Sequence, residues 1–254
     1  MTDDSLLAAI RRIADDAGAL ILGYYAGAVA VRAKADASPV TEADEAAEAL
    51  ILAALEALGL NIPIVAEEKA ARGGVPGDAG SRFWLVDPLD GTKEFLSKNG
   101  EFTVNIALIE NRRPVLGVVY APAIGVTYLG GPKGASRAVG GGEAVPLRAA
   151  RPSPAGLVAV VSRSHRSPET DAYLARFPIR SERSAGSSLK FGLVAAGEAD
   201  LYPRLGRTME WDTAAGHAVV AAAGGSVRTL AGDDLLYGKP GFENPSFVVR
   251  GREG

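Results

Sequence analysis

The stretch "FWLVDPLDGTKEF", residues 83–95, sets an apolar run, Phe83 to Val86, directly against two aspartates three apart with a proline between them. Four consecutive apolar residues of this kind read as a buried strand. Pro88 fixes its own φ and disfavours helix for the residue before it. Asp87-Pro88-Leu89-Asp90-Gly91 therefore reads as a rigid turn ending the strand, with both carboxylates on nearly the same side and the Leu89 carbonyl between them. Gly91 permits a sharp backbone path or the close approach of a ligand, and Thr92 presents a hydroxyl beside the same spot. Two readings stay open for these residues. They are good turn formers in their own right. They could equally hold a cation, because carboxylates gathered with a carbonyl repel one another unless a cation sits among them. Magnesium would suit such a place, taking oxygen ligands at about 2.0–2.1 Å and keeping waters that a phosphate can displace. A second cation about 3.5–4 Å away would permit two-metal phosphoryl chemistry.

Composition narrows the second reading. The 254 residues are 47% apolar and 22% charged, enough for one large or two modest globular domains. A formal charge of −3 gives no basic footprint for a nucleic-acid polymer. There is no cysteine, so disulfides, thiolate nucleophiles and sulfur-ligated zinc are excluded. The two histidines, His165 and His217, cannot build a multi-histidine cage. Any metal site must be rich in oxygen, which favours hard divalent cations. The longest weakly polar run, residues 19–31, is too short and too glycine-rich to span a membrane, and the N-terminus lacks the basic start of a signal peptide. A soluble cytoplasmic protein is the expectation.

Outward from residues 83–95 the patterning is mixed. Residues 3–30 read as a helix capped near Thr2 or Asp3, and Thr41 to Leu58 as a second helix with an acidic first turn. "NIPIVAEE" reads as a short strand ending in two glutamates, and residues 69–81 as a mobile loop. "FTVNIALIENRRPVLGVVYAP" reads as a hairpin turned at Asn111 to Pro114, followed by a short strand in "GVTYLGG". Residues 1–150 thus follow an α+β pattern. Residues 151–254 alternate: strand "LVAVVSRSH", helix "PETDAYLARF", strand "IRSERSAG", helix "SSLKFGLVAAGEA", strand "DLYPRL", helix "DTAAGHAVVAAAGG", then two closing strands. That alternation predicts a three-layer α/β second half.

Glu67 and Asp212 are unremarkable alone: paired glutamates usually make a solvated face, and a Trp-Asp pair is common. In combination, "VAEE" (65–68), "WLVDPLDGTKEF" (84–95) and "WDTAAGHAVVAAAGG" (211–225) resemble the inositol monophosphatase superfamily of magnesium-dependent, lithium-sensitive phosphatases. The resemblance covers nearly the whole chain and implies a layered α-β-α-β-α sandwich. Within the superfamily, "DGTKEF", "SRSH" (162–165), "GSSLK" (186–190) and "FENPSFVV" (242–249) resemble the branch of 3′(2′),5′-bisphosphate nucleotidases.

The resemblance implies roles. Glu67, Asp87 and the Leu89 carbonyl would bind one magnesium, and Asp87, Asp90 and Asp212 a second, with two or three ions in all. Thr92, paired with Asp44, would orient the attacking water, which Glu67 would also reach. Lys34 would support this end of the site. The substrate would meet Glu67, Leu89, Asp90, Gly91, Thr92 and Asp212 around the phosphate to be cleaved. Ser162, His165, Gly186 and Lys190 would grip the rest of the nucleotide, and His217, inside an alanine-rich helix, reads as structural. The implied reaction removes the 3′-phosphate of 3′-phosphoadenosine 5′-phosphate, and of 3′-phosphoadenylyl sulfate, by metal-activated water. Lithium inhibition and peripheral association with the cytoplasmic face of the inner membrane follow from the same resemblance. No membrane anchor is encoded, and oligomeric state is not legible. Phosphatase action on inositol phosphate or fructose 1,6-bisphosphate is the alternative within the enzyme class. A binding module with a structural ion is the alternative outside it.

Overall fold

The computed structural model describes residues 2–27, 31–33, 39–74 and 79–253. Helix α1 (Asp3–Tyr25) starts where Thr2 accepts the Ser5 amide at 3.3 Å. Its buried stripe, Leu6, Ile10, Ile13, Ala17 and Ile21, recurs every three or four residues. The helix ends at Tyr25, where Lys98 donates to the carbonyls of Tyr25 and Gly27 and so satisfies its open end; residues 28–30 of the expected helix lie outside the described residues. Strands β1 (Val31–Ala33) and β2 (Pro39–Thr41) form a small antiparallel ribbon, and Lys34 lies outside the described residues. Helix α2 (Glu42–Glu56) is shorter than expected by its cap, Thr41, and by its last two residues.

Strand β3 (Ile64–Ala66) does not end in two glutamates; Glu67 and Glu68 open a short helix, α3 (Glu67–Ala71), which runs into the start of the expected loop, of which residues 75–78 lie outside the described residues. The cause is a cap supplied from α2: the Glu48 carboxylate accepts the Glu68 amide at 2.7 Å. Strand β4 (Arg82–Asp90) also differs from expectation. It runs through Pro88 instead of ending before it, absorbing one extra residue as a bulge between Asp87, opposite Asn105, and Asp90, opposite Thr103. Pro88 costs no ladder bond there, because β3 pairs with β4 only as far as Val86.

Helix α4 (Thr92–Leu96) follows at once. Strands β5 (Thr103–Glu110) and β6 (Arg113–Ala121) form the expected hairpin, turned at Asn111 and Arg112 with φ of 49° and 65°. Beyond β7 (Val126–Gly131) the sheet gains two strands the sequence reading missed, β8 (Gly134–Val139) and β9 (Val145–Leu147). "GASRAV" and "VPL" are too small, charged or short to show a strand period.

The remaining elements are β10 (Leu157–Ser162), α5 (Pro168–Leu174), β11 (Ile179–Ala185), α6 (Leu189–Ala195), β12 (Leu201–Arg204), α7 (Glu210–Ala222), β13 (Ser226–Thr229) and β14 (Phe247–Arg250). Strands β3 to β9 form one sheet in sequence order, and the other has the order β11-β10-β12-β14-β13. Side chains of β4 show how the layers arise. Trp84 and Val86 face a core shared with α1 and α2, while Phe83 and Leu85 face a second core shared with α6, α7 and the five-stranded sheet. Leu174 of α5 closes a third core with Ala159, Val161, Leu201 and Val248 on the outer face of that sheet. The result is the layered α-β-α-β-α sandwich. Helix α7 sits very close to the larger sheet because Gly117 and Gly130 face it; a Cβ there would come within 2.5 Å and 2.6 Å of its backbone. Among the described residues, no helix is long and apolar enough to cross a membrane.

Candidate active site

The bulge of β4 turns Asp87 and Asp90 toward the ends of two helices. Asp87 is 1% exposed, and its Oδ1 accepts the Leu89 amide at 3.1 Å, which fixes the Asp-Pro-Leu corner. Glu67 is the first residue of α3, and Asp212 lies in the first turn of α7. Glu67, Asp87 and Asp212 each bring a carboxylate oxygen to within 4.8 Å of the others. Asp90 lines the same cavity, but its Oδ2 is engaged by the Ser188 hydroxyl at 3.0 Å. Burial raises the Asp87 carboxyl well above the usual carboxylate range, and the charges of Glu67, Asp90 and Asp212 push it further the same way. Asp212 is also raised well above that range, first by burial and then by Asp90 and Glu67. Asp90 is raised by burial, against the opposing pull of Lys190.

Two carboxylates are held by the helices they begin. Asp212 Oδ2 accepts the Met209 amide at 2.8 Å, so one oxygen is spent on the helix cap and the other is left for the cavity. Asp44 follows the same logic one layer back: its Oδ2 accepts the amide and hydroxyl of Thr41 at 2.8 Å and 2.5 Å. Its Oδ1 then receives the Thr92 hydroxyl at 3.2 Å. Asp44 is fully buried and does not line the cavity; Thr92 does. With its proton committed to Asp44, the Thr92 oxygen can act only as an acceptor toward anything beside it.

Gly91 joins this turn to the facing wall. Its φ is +91°, and a Cβ there would lie 2.0 Å from Ser187 Oγ. Ser187 donates to the Asp90 carbonyl at 2.7 Å, and Ser188 reaches the Asp212 carbonyl at 2.8 Å. The "GSSLK" segment is thereby pressed onto the carboxylate turn.

One cavity of about 380 Å³ is lined by Glu67, Asp87, Leu89, Asp90, Gly91 and Thr92 on one side. Asp212 joins them on that side, and Ser162, His165 and Lys190 complete the predicted set on its rim and far wall. Gly186 does not line it. Its amide donates to Glu101 Oε2 at 2.7 Å, and a Cβ there would strike Glu94 Cγ at 2.6 Å, so it is a close-packing position. Lys190 is 4% exposed, and its ammonium donates to the carbonyls of Ser187, at 2.5 Å, and Ala185. Burial lowers its pKa to about 8 despite the opposing charge of Asp90. His165 stands at the lip of the cavity, its pKa pushed down to about 4 by desolvation and then by Arg204 and Lys93, so the ring is neutral at pH 7. His217 lies on α7 away from the cavity, bonded through Nδ1 to the Tyr237 hydroxyl at 3.1 Å.

The sequence reading missed the strongest cations of the far wall. Arg204 and Arg207 both line the cavity. The Arg204 Nε is buried without a hydrogen-bond partner, and its other end donates to the Arg207 carbonyl at 3.1 Å. Arg204 terminates β12, and a basic residue closing an inner strand was the available signal.

The sequence model of the inositol monophosphatase family matches residues 2–250. The chain is 47% identical to the 3′(2′),5′-bisphosphate nucleotidase CysQ of Escherichia coli O157:H7, over 96% of this chain and 99% of that protein. It is 43% identical to CysQ of Buchnera aphidicola, over 91% and 87% of the two chains. Among solved structures it superposes on CysQ from Bacteroides thetaiotaomicron with a TM-score of 0.82 and 38% identity, covering 98% of each chain. With an inositol monophosphatase of Thermotoga maritima the TM-score is 0.76 at 27% identity, covering 94% and 89%. The cluster of carboxylates, the layered sandwich and the match over nearly the whole chain agree: the chain belongs to the inositol monophosphatase family.

Proposed function

We propose that the protein is a phosphoric monoester hydrolase, a 3′(2′),5′-bisphosphate nucleotidase. In this reading it removes the 3′-phosphate of 3′-phosphoadenosine 5′-phosphate to leave AMP, and acts likewise on 3′-phosphoadenylyl sulfate. One observation carries the reading: a single cavity holds carboxylates on one wall and Lys190, Arg204 and Arg207 on the other. A substrate with one phosphate to cleave and another to hold fits both walls at once. High identity to nucleotidases named CysQ over nearly full length supports it, and favours it over action on inositol phosphates or fructose 1,6-bisphosphate.

The family is metal-dependent, and the donor set suits a hard divalent ion. Every candidate ligand is an oxygen, and Asp87 and Glu67 lie in hydrogen-bond contact, which two carboxylates tolerate only with a proton or a cation between them. Glu67, Asp87 and the Leu89 carbonyl would hold one magnesium, and Asp87, Asp90 and Asp212 another, with two or three ions in total. When bound, such ions lower the pKa of water and offset charge on phosphoryl oxygens.

The chain's own residues do the rest. The Thr92 oxygen, whose proton is given to Asp44, accepts an O–H of the attacking water and so turns that water's lone pair toward phosphorus. Glu67 reaches the same water. As the new P–O bond forms, the bond to the ribose 3′ oxygen breaks; the attacking water gives up a proton, and the ribose oxygen takes one up from solvent and leaves as a hydroxyl. Ser162, neutral His165, Lys190 and Arg204 hold the part of the nucleotide that is not cleaved; Gly186 shapes that wall from behind. Residues 1–150 act as the metal-bearing domain, and residues 151–254 as the domain that adds Asp212 and the substrate wall. A cytoplasmic site of action and inhibition by lithium belong to the same reading.

The test is a series of kcat/KM values with 3′-phosphoadenosine 5′-phosphate, inositol 1-phosphate and fructose 1,6-bisphosphate in magnesium. The bisphosphate nucleotide should lead; a lead for inositol 1-phosphate would transfer the assignment to the alternative.

A further inference from the structure

The segment Phe242–Val249, "FENPSFVV", shares in the sequence resemblance, yet none of its residues lines the cavity. It lies instead behind the first turn of α7. Asn244 is 6% exposed there, and its side-chain amide is fully used. Nδ2 donates to the Met209 carbonyl at 2.8 Å and reaches the hydroxyls of Thr213 at 3.0 Å and Thr208 at 3.3 Å. Oδ1 accepts the Lys239 ammonium at 3.1 Å. The Asn244 backbone amide adds a bond to the Thr208 carbonyl at 2.9 Å.

The same turn is gripped a second time. Glu210, 0% exposed, accepts the amides of Gly238 at 2.7 Å and Lys239 at 2.9 Å, and pairs with the Lys239 ammonium at 2.6 Å. The Tyr237 hydroxyl reaches Thr213 Oγ1 at 3.3 Å. Residues 237–244 therefore clasp residues 208–213 through buried and part-buried hydrogen bonds.

What this clasp holds is Met209, the cap residue of α7, and the Met209 amide is the group that fixes Asp212 Oδ2. The first turn of a helix has unsatisfied amides and frays most easily. Here it also carries a carboxylate crowded by others, which would gain by swinging away. We propose that Asn244 is a positioning residue for Asp212: by anchoring Met209 from behind, it keeps the Asp212 carboxylate aimed at Glu67 and Asp87 before any cation arrives. The inference rests on the reading of Asp212 as a cation ligand. Asparagine suits the position because donors and an acceptor are both required there; aspartate would lose the donors and alanine everything.

The test measures magnesium binding to the metal-free protein by calorimetry, together with hydrogen exchange of the Met209 amide, in wild type, Asn244→Ala and Asn244→Asp. Both variants should bind magnesium about 10-fold more weakly or worse, the scale of losing a partner that orients a ligand. Both should lose protection at Met209 without any metal present. Asn244→Asp separates positioning from charge: an added anion acting through its field alone would tighten cation binding. Aspartate is nearly the size of asparagine, so this variant decides the matter if the alanine variant does not fold. Wild-type affinity in either folded variant, or tighter binding in Asn244→Asp, would overturn the proposal while leaving the cation reading in place. A wild-type protein that takes up no magnesium would overturn both.

Discussion

The two walls of the cavity are built on opposite electrostatic principles. The wall carried by β4, α3 and the start of α7 gathers carboxylates whose ionisation burial opposes. The facing wall carries Arg204, Arg207 and Lys190, with a histidine kept neutral at its lip. Like charges on one wall are costly to bring together, so that wall is stable in its ionised form only with cations added. The cationic wall already has what an anion needs. On the proposed function, the difference divides substrate recognition from catalysis: one wall would bind phosphate as the chain stands, and the other only once divalent ions are present.

The largest expected effect comes from breaking the acidic wall. Asp90→Asn should cut magnesium-dependent turnover by more than ~100-fold, beyond the scale for disturbing a ligand's partner, with the fold retained by circular dichroism. Full activity in that variant would erase the contrast between the walls.

Removing the basic wall should act differently. Lys190→Ala should raise KM for the bisphosphate nucleotide by about 10-fold or more, the worth of a hydrogen bond to a charged group, and affect kcat less. An unchanged KM would remove Lys190 from the substrate wall. Its pKa of about 8 adds a direction: the lysine is charged below that pH, so KM should rise as the solution is taken above it.

The walls should also separate by proton release. Burial and the neighbouring carboxylates raise Asp87 and Asp212 above the usual range, so they hold protons more readily than ordinary carboxylates do, and a cation must displace those protons. Magnesium binding should therefore release protons and weaken as pH falls. Calorimetric heats that do not vary with the ionisation enthalpy of the buffer would contradict this.

Smallest of all should be Arg82→Ala, which removes an exposed pair with Glu110 far from either wall. It should cost at most ~1 kcal/mol in denaturant unfolding and leave kinetics unchanged. A larger kinetic effect would show that the contrast is not confined to the cavity.

How much of this the sequence discloses follows from where the partners lie. The strand Phe83 to Val86, the hairpin at Asn111 and Arg112, and both long N-terminal helices announce themselves through local period and turn chemistry. Strands β8 and β9 do not, since neither has a clear apolar alternation. Element ends are hidden from local pattern where the capping group comes from elsewhere: Lys98 satisfies the end of α1, and Glu48 the start of α3. The acidic wall was legible because its residues sit in short, dense motifs. The substrate wall was less so. Gly186 is dictated by the nearness of Glu94 and Glu101, far back in the chain, and Lys190 turns inward to two carbonyls; neither could be read from "GSSLK". Asn244 reaches Met209 across 35 positions, a distance no local pattern encodes.

The most direct test of the division between the walls is phosphate release from 3′-phosphoadenosine 5′-phosphate by the purified protein, in excess magnesium and again in excess EDTA. Release with magnesium that ceases in EDTA and returns when magnesium is restored is the expected result. Release that persists in EDTA would mean that the buried carboxylates work without cations, and the account would be wrong.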